Sequence, residues 1–330
     1  MVRIAIDAMG GDHAPSLIVQ GAVEAALEWP ELRIILVGDT AQIEKHIGAK
    51  KPSNIEIVHA DDVIGPEDEP VKAVRRKKNS SMVMAGQLVR EGHAEAMLSA
   101  GNTGALMTTG LLVVGRLEGM ERPALVTMLP TMDDVGCLAL DLGANMDAKP
   151  EHLLQYAIMG SIYRSKMNGM EKPRVGLLNV GTEAMKGNEL TKAAYELLES
   201  APINFIGNVE ARDVLLRNCD VLICDGFAGN IMLKAMEGTA GTLFKAIRDV
   251  FTSSLLTKLA AAVVLPRMRK LRGKMDYTEH GGAPLLGVNG LVVKCHGSSD
   301  VKAVKNAVRQ AKLAIESNLI SSIAAEISRK

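Results

Sequence analysis

The stretch AEAMLSAGNTGALMTTGLLVVGR (94–116) decides how this chain is read. Between Glu95 and Arg116 it holds twenty uncharged residues, the number that a membrane-spanning helix needs. Four glycines, Asn102 and several hydroxyls interrupt it, however, and divide it into three parts. AMLSA reads as a buried strand, GNTG as a loop, and ALMTTGLLVV as a helix. A plain turn needs fewer glycines. The composition suits a loop whose backbone N–H groups approach an anion at the start of a helix.

The same alternation runs along the chain. Strand-like runs are RIAIDA (3–8), RIILVG (33–38), IEIVHA (55–60), AEAMLSA (94–100), CLALDLG (137–143), RVGLLNV (174–180), INFIGNV (203–209) and VLICDG (221–226). Helix-like segments such as HLLQYAIMGSIYRSK (152–166) and NELTKAAYELLES (188–200) fall between them. The end of the chain, 300–329, reads as one amphipathic helix with a break near Ser317. Apolar strands alternating with helices predict an α/β fold, a largely parallel sheet flanked by helices. With 330 residues and no low-complexity linker, we expect one domain over 1–330 with two lobes around a cleft.

In such folds ligands bind beyond the carboxyl ends of the strands. AMGGDHAP, SAGNTGA, DLGAN, NVGTEAMKGNE, DGFAGN and HGSSD all follow strand-like runs, so six polar, glycine-rich loops are expected to line one cleft. Taken singly, each loop serves equally as a turn or a helix N-cap.

Composition removes several function classes. Basic and acidic residues balance at 38 each and only 3% of residues are aromatic, so no nucleic-acid partner is expected. Cys137, Cys219, Cys224 and Cys295 are scattered in or near apolar runs and read as buried thiols in a reducing cytoplasm. MVRIAIDAMGG carries Asp7 where an export signal would need a longer apolar region. The dinucleotide fingerprint, the Walker loop, the serine elbow and the zinc-protease helix are all missing from the sequence. No metal and no cofactor are expected. The loops are left with positioning and charge stabilisation, without a covalent nucleophile.

Within the loops, His13 and His296 are candidate acids, bases or anion donors, or else loop caps. Lys186 and Lys234 are candidate cations, with Lys234 expected about one turn inside a helix that starts at DGFAGN. Asp12, Asp225 and Asp300 either orient these groups or cap helices.

The ordered set IDAMGGDHAP, VRRKKNSSMVMA, SAGNTGALMT, DLGAN with DAKPEHL, LLNVGTE with KGNELTK, FIGNVEARD, DGFAGN and HGSSD resembles the bacterial phosphate acyltransferase family over nearly the whole chain. Each motif alone is weak, and their order is specific. The resemblance implies transfer of a long-chain fatty acyl group from acyl carrier protein to inorganic phosphate. It implies a fold similar to phosphotransacetylases and the isocitrate dehydrogenase group. It also implies a homodimer, cytoplasmic but peripherally associated with the inner face of the cell membrane. There it hands acyl phosphate to a membrane glycerol-3-phosphate acyltransferase.

Such a reaction accounts for the missing signatures. A thioester releases a thiol of pKa about 8.5, which leaves with little protonation. Phosphate, partly dianionic, needs no strong base. What remains is to hold phosphate at the thioester carbon and to stabilise the oxyanion. Asn102, Thr103 and Gly104 are expected to cradle phosphate, with Asp12, Asn145, Asp225, Lys234 and Ser298 as further substrate contacts. Lys186 and Asn230 would offset charge on phosphate or oxyanion, and His13 or His296 would move the proton. Alternatives are a short-chain phosphotransacetylase that uses acyl-CoA, and a non-catalytic tether between carrier protein and membrane.

Two basic stretches remain. Arg75, Arg76, Lys77 and Lys78 form either a dock for acidic carrier protein or for phosphate, or a solvated face paired with the acidic run at 67–69. Residues 250–275 hold six basic residues, no acidic residue and an apolar middle broken by Pro266. Leu255, Leu256, Leu259, Val263, Val264 and Leu265 would touch the membrane surface, or else a second copy of the chain.

Overall fold

The computed structural model describes residues 1–48, 51–254, 257–258, 261, 264–265, 267–268, 271, 273 and 282–328. They fall into two compact units. The first comprises residues 1–126, 158–172 and 278–330, and the second 127–157 and 173–277.

The first unit is built on a seven-stranded sheet. Its strands are β1 (Arg3–Asp7), β2 (Arg33–Gly38), β3 (Ile55–His59), β4 (Ala96–Ser99), β5 (Ala124–Leu125), β11 (Ala283–Leu286) and β12 (Leu291–Lys294). The order across the sheet is β3-β2-β1-β4-β12-β11-β5. The five strands from β3 to β12 run parallel, and β11 pairs antiparallel with both β12 and β5. Strand β1 shows why: Ile4, Ala5 and Ile6 are all buried, as a strand covered on both faces requires. The helices of this unit include α1 (Ser16–Glu28), α2 (Thr40–Ile47), α3 (Pro70–Arg76), α4 (Ser81–Arg90) and α5 (Thr103–Thr109), which runs into a π turn, Gly110–Val114. Met82, Val83, Ala85, Leu106 and Val292 meet in its core.

The second unit holds a five-stranded sheet, ordered β6-β7-β10-β8-β9. Its strands are β6 (Thr127–Leu129), β7 (Cys137–Leu140), β8 (Arg174–Asn179), β9 (Asn204–Glu210) and β10 (Val221–Ile223). Only β6 is antiparallel. Helix α6 (Pro150–Asn168) begins in this unit, and α7 (Glu189–Glu199) and α8 (Gly226–Thr252) lie wholly within it. The Arg174 guanidinium forks onto Asp220, Nε to Oδ2 at 3.1 Å and Nη2 to Oδ1 at 3.1 Å, and ties the start of β8 to the start of β10. Burial pushes the Asp220 carboxyl up, but the hydrogen bonds and charge of Arg174 carry it below its usual value.

Stretch 94–116 folds as strand, loop and helix, β4 followed by α5. No helix among the described residues is long and apolar enough to cross a membrane. The terminal helical pattern is broken where expected. Helix α9 (Val301–Glu316) ends at Ser317, Asn318 takes a left-handed conformation at φ 54°, and α10 (Leu319–Ile327) follows.

Candidate active site

Each unit carries three of the six loops at strand ends. In the first, AMGGDHAP follows β1, SAGNTGA follows β4 and HGSSD follows β12, and these strands are immediate neighbours. The loops are tied together by their backbones: Asp12 N donates to Gly297 O at 2.8 Å, and Cys295 N donates to Ser99 O at 2.9 Å. Gly10 is required by this closeness. A Cβ there would stand 2.5 Å from Asp7 Oδ2 and 2.7 Å from Gly101 N.

Beneath the loops lies a network that the sequence reading missed. Asp7 closes β1, fully buried, and its two oxygens accept from Ser81 Oγ and Ser99 Oγ, each at 2.6 Å. Burial pushes the Asp7 carboxyl up, and the two hydroxyls oppose that shift. Lys294 closes β12, half-buried. Its ammonium donates to the carbonyls of Cys295 and, at 3.4 Å, Ala100. Burial lowers the Lys294 pKa, against the charges of Cys295, Asp12 and Asp7. The signal was present in RIAID and LVVK, where a charge ends an apolar run.

Several expected roles change. Asn102 is the N-cap of α5: its Oδ1 accepts from Ala105 N at 3.0 Å. Its amide group donates to the carbonyls of Gly65, Pro66 and Asp68. That side chain is therefore a clasp on loop 65–68, and its donors are committed before any substrate arrives. Gly104 is needed for packing, because a Cβ there would lie 2.6 Å from Pro70 Cγ. Thr103 is exposed beside it.

His13 is exposed on its loop. His296, also exposed, is held by Ser298, whose Oγ lies 2.7 Å from Nδ1 and whose N–H donates to Nδ1 at 3.2 Å. With Nδ1 as the acceptor, the ring carries its proton on Nε2, pointing away from this turn. Asp12 is exposed. Asp300 caps α9 by accepting from Ala303 N at 2.8 Å.

In the second unit, DLGAN follows β7, DGFAGN follows β10 and NVGTEAMKGNE follows β8, again three neighbouring strands. Asp141 organises the first of these loops. Its carboxylate accepts from the N–H groups of Gly143 (3.1 Å), Ala144 (2.9 Å) and Asn145 (2.7 Å) and from Asn145 Nδ2 (2.9 Å). Burial pushes the Asp141 carboxyl up and these donors oppose the shift. The loop so fixed touches α8. Gly226 N donates to Asn145 O at 2.9 Å, and the half-buried Asn230 side chain lies against Gly143.

Asp225 is the N-cap of α8, accepting from Phe227 N at 3.0 Å and Ala228 N at 2.9 Å. A carboxylate thus already occupies that helix terminus, and the site expected to attract an anion there is filled. Lys234 is also displaced from its expected role. The helix starts at Gly226, so Lys234 lies about 12 Å along it at 1.5 Å per residue, beyond its first turn. Its ammonium pairs with Glu237 at 2.8 Å.

Lys186 is exposed in loop 180–188, where no hydrogen bond or ion pair to a described residue engages its ammonium. The loop itself is fixed by backbone contacts. Asn179 Nδ2 donates to Lys186 O at 3.1 Å, Asn208 Nδ2 to Glu183 O at 2.8 Å, and Lys186 N to Glu183 O at 3.0 Å.

Of the basic cluster, Lys77 is committed elsewhere: it pairs with Asp68 at 2.8 Å and donates to Val63 O at 2.8 Å. Asp68 belongs to the acidic run, so Lys77 is paired with that run. Arg75, Arg76 and Lys78 are exposed. Leu255, Leu256, Leu259 and Val263 lie outside the described residues; Val264 is half-buried and Leu265 is 45% exposed.

The sequence profile of the fatty acid synthesis protein family matches residues 2–322. A phosphate acyltransferase of Brevibacillus brevis is 58% identical over 93% of this chain and 92% of its own length. One of Bacillus subtilis is 54% identical over 100% of this chain and 99% of its own. The chain belongs to the phosphate acyltransferase family. It is therefore an enzyme. Among solved structures, a phosphotransacetylase from Streptococcus pyogenes covers 96% of the chain, and the chain 94% of it, at a TM-score of 0.63 and 16% identity. The EutD phosphotransacetylase from Staphylococcus aureus aligns over 94% and 93% at a TM-score of 0.60, again with 16% identity. These two show that the chain has a phosphotransacetylase-like α/β fold, as the family resemblance implies.

Proposed function

We propose that this chain moves a long-chain acyl group from acyl carrier protein to inorganic phosphate. A phosphate oxygen attacks the thioester carbon, the carbonyl becomes an oxyanion, the C–S bond breaks, and carrier thiolate leaves. The thiolate takes up a proton, and acyl phosphate is the other product. The observation that carries this reading is identity above half to phosphate acyltransferases over essentially the full chain.

The side chains support direct attack. All four cysteines are buried, and burial pushes the Cys295 thiol up to about 11 and Cys224 well above its usual range. Neither is a thiolate nucleophile. Lys186 and Asn230, with donors not engaged by described residues, are assigned to phosphate or oxyanion charge. Thr103 and Gly104 contact phosphate through the loop after β4, and Asn145 contacts substrate from the loop that Asp141 holds. His296, with its proton on Nε2, is the hydrogen-bond donor to the departing thiolate, which takes its proton from water, and His13 with Asp12 shares its strand-end cluster. One observation favours a second route: the Ser298–His296 contact of 2.7 Å is the kind of pair that activates a serine, which would make an acyl-enzyme. The test of the main reading is product identity. Palmitoyl carrier protein and phosphate should yield hydroxylamine-reactive acyl phosphate in amounts equal to released thiol. Free palmitate in its place would identify a hydrolase, and faster turnover of acetyl-CoA would identify a short-chain phosphotransacetylase.

Arg75, Arg76 and Lys78, exposed and adjacent, are assigned to docking of acidic carrier protein. Arg75→Glu with Arg76→Glu should raise the KM for carrier protein about 10-fold at low salt, and less at high salt, where the Debye length shortens. An unchanged KM at low salt would return the cluster to the solvated face.

A homodimer and peripheral contact with the inner face of the cell membrane complete the proposal, with a membrane glycerol-3-phosphate acyltransferase as the recipient of acyl phosphate. Helix α8 supports it: from Gly238 on none of its residues is buried, and Leu243 and Val250 are 57% and 65% exposed. That face calls for a cover, a second copy or lipid. Leu259→Glu with Val263→Glu should abolish co-sedimentation with anionic vesicles while the protein stays dimeric in sedimentation equilibrium. Unaltered sedimentation would place lipid contact elsewhere, and monomers would make the segment a dimer interface.

A further inference from the structure

Lys294 is the only lysine or arginine in segments 7–15, 99–104 and 294–300, which make up the ends of β1, β4 and β12 and their loops. It sits where the three loops meet. Its ammonium bonds the carbonyls of Ala100 and Cys295, and Ala100 in turn packs against Gly11, where a Cβ would come within 2.9 Å of Ala100 Cβ. Both of these partners of the ammonium are neutral carbonyls. Among the described residues no carboxylate lies in ion-pair contact with it. Of the acids nearby, Asp7 is held by two serine hydroxyls, Asp300 caps α9, and the exposed Asp12 acts on the ammonium through space without an ion pair.

A half-buried ammonium with dipolar partners only is unusual, because charges removed from water are ordinarily paired. The two carbonyls fix its position without an opposite charge in contact with it. A site arranged in this way suits an anion. From this we infer that Lys294 holds the phosphate substrate, its ammonium supplying the counter-charge at the ends of β1, β4 and β12. The inference rests on the acyl-transfer reading for the identity of the anion. It also explains why a lysine ends a strand whose other residues, Leu291, Val292 and Val293, are buried and apolar.

The first test is competitive labelling of the wild-type protein with acetic anhydride, followed by peptide mass spectrometry. Inorganic phosphate at ten times its dissociation constant should slow labelling of Lys294 about tenfold. The exposed Lys45 and Lys192 should be labelled at the same rate with or without phosphate. This measurement needs no substitution and no turnover, so it stands even if the acyl donor differs from the one proposed. Equal labelling of Lys294 with and without saturating phosphate would overturn the inference. The second test is kinetic. Lys294→Met should raise the KM for phosphate about 10- to 100-fold, the loss expected for a charge-assisted bond, while the KM for carrier protein stays near wild type. Lys294→Arg should recover part of that loss. A folded Lys294→Met protein with an unchanged KM for phosphate, in a preparation whose wild type makes acyl phosphate, would refute the role of Lys294 and leave the overall function intact.

Discussion

Replacing Asp141 by alanine is expected to cost this enzyme about 100-fold in kcat/KM and about 2–4 kcal/mol in stability. One carboxylate receives four hydrogen bonds, three from consecutive backbone N–H groups and one from the Asn145 amide. Without it those donors have no acceptor, and Asn145, whose carbonyl receives Gly226 N, loses its fixed position. Asn230, which packs on Gly143, loses its wall. A loop displaced by about 1 Å suffices for a 100-fold loss when catalysis rests on positioning. Asp141→Asn keeps one acceptor oxygen but turns an NH₂ towards donors, so it should fall between wild type and alanine. Thermal melts and steady-state kinetics on both variants check this, with the loss expected in kcat more than in KM. Full activity in a folded Asp141→Ala protein would remove the loop from the site.

Lys186→Ala is expected to reduce kcat about 100- to 1000-fold and leave the melting temperature unchanged. The two effects separate because of where the loop gets its order. Asn179 and Asn208 hold main-chain carbonyls of loop 180–188, and the Lys186 ammonium takes no part. Truncation therefore deletes a charge without loosening the backbone. A parallel drop in melting temperature would show that the side chain is structural, and near-normal kcat would show that it stands away from the reacting atoms.

The parallel core of both sheets was legible because β1, β2, β4 and β10 are nearly continuous apolar runs, the mark of strands covered on both faces. Strands β5, β6 and β11 were not expected. They hold only two to four residues each, too few for a period to show, and they pair antiparallel at the margins. The loops were found by composition, but side-chain roles within them were not. Asn102 and Asp225 have the residue types that serve both substrates and helix N-termini, and the structure gives both to the helices. Asp7, Asp141 and Lys294 were hidden for the opposite reason. Each ends an apolar run and was read as part of the strand, although a charge in that setting is costly enough to mark a site.

If phosphate itself attacks the thioester, carrier thiol is released only in its presence, and counting that thiol shows whether it does. Enzyme at high concentration is mixed with an equal amount of palmitoyl carrier protein in phosphate-free buffer, and free carrier thiol is measured over time. Direct attack predicts no release until phosphate is added, then release that keeps pace with acyl phosphate. A burst approaching one thiol per chain without phosphate, abolished by Ser298→Ala, would reveal an acyl-serine and contradict the account.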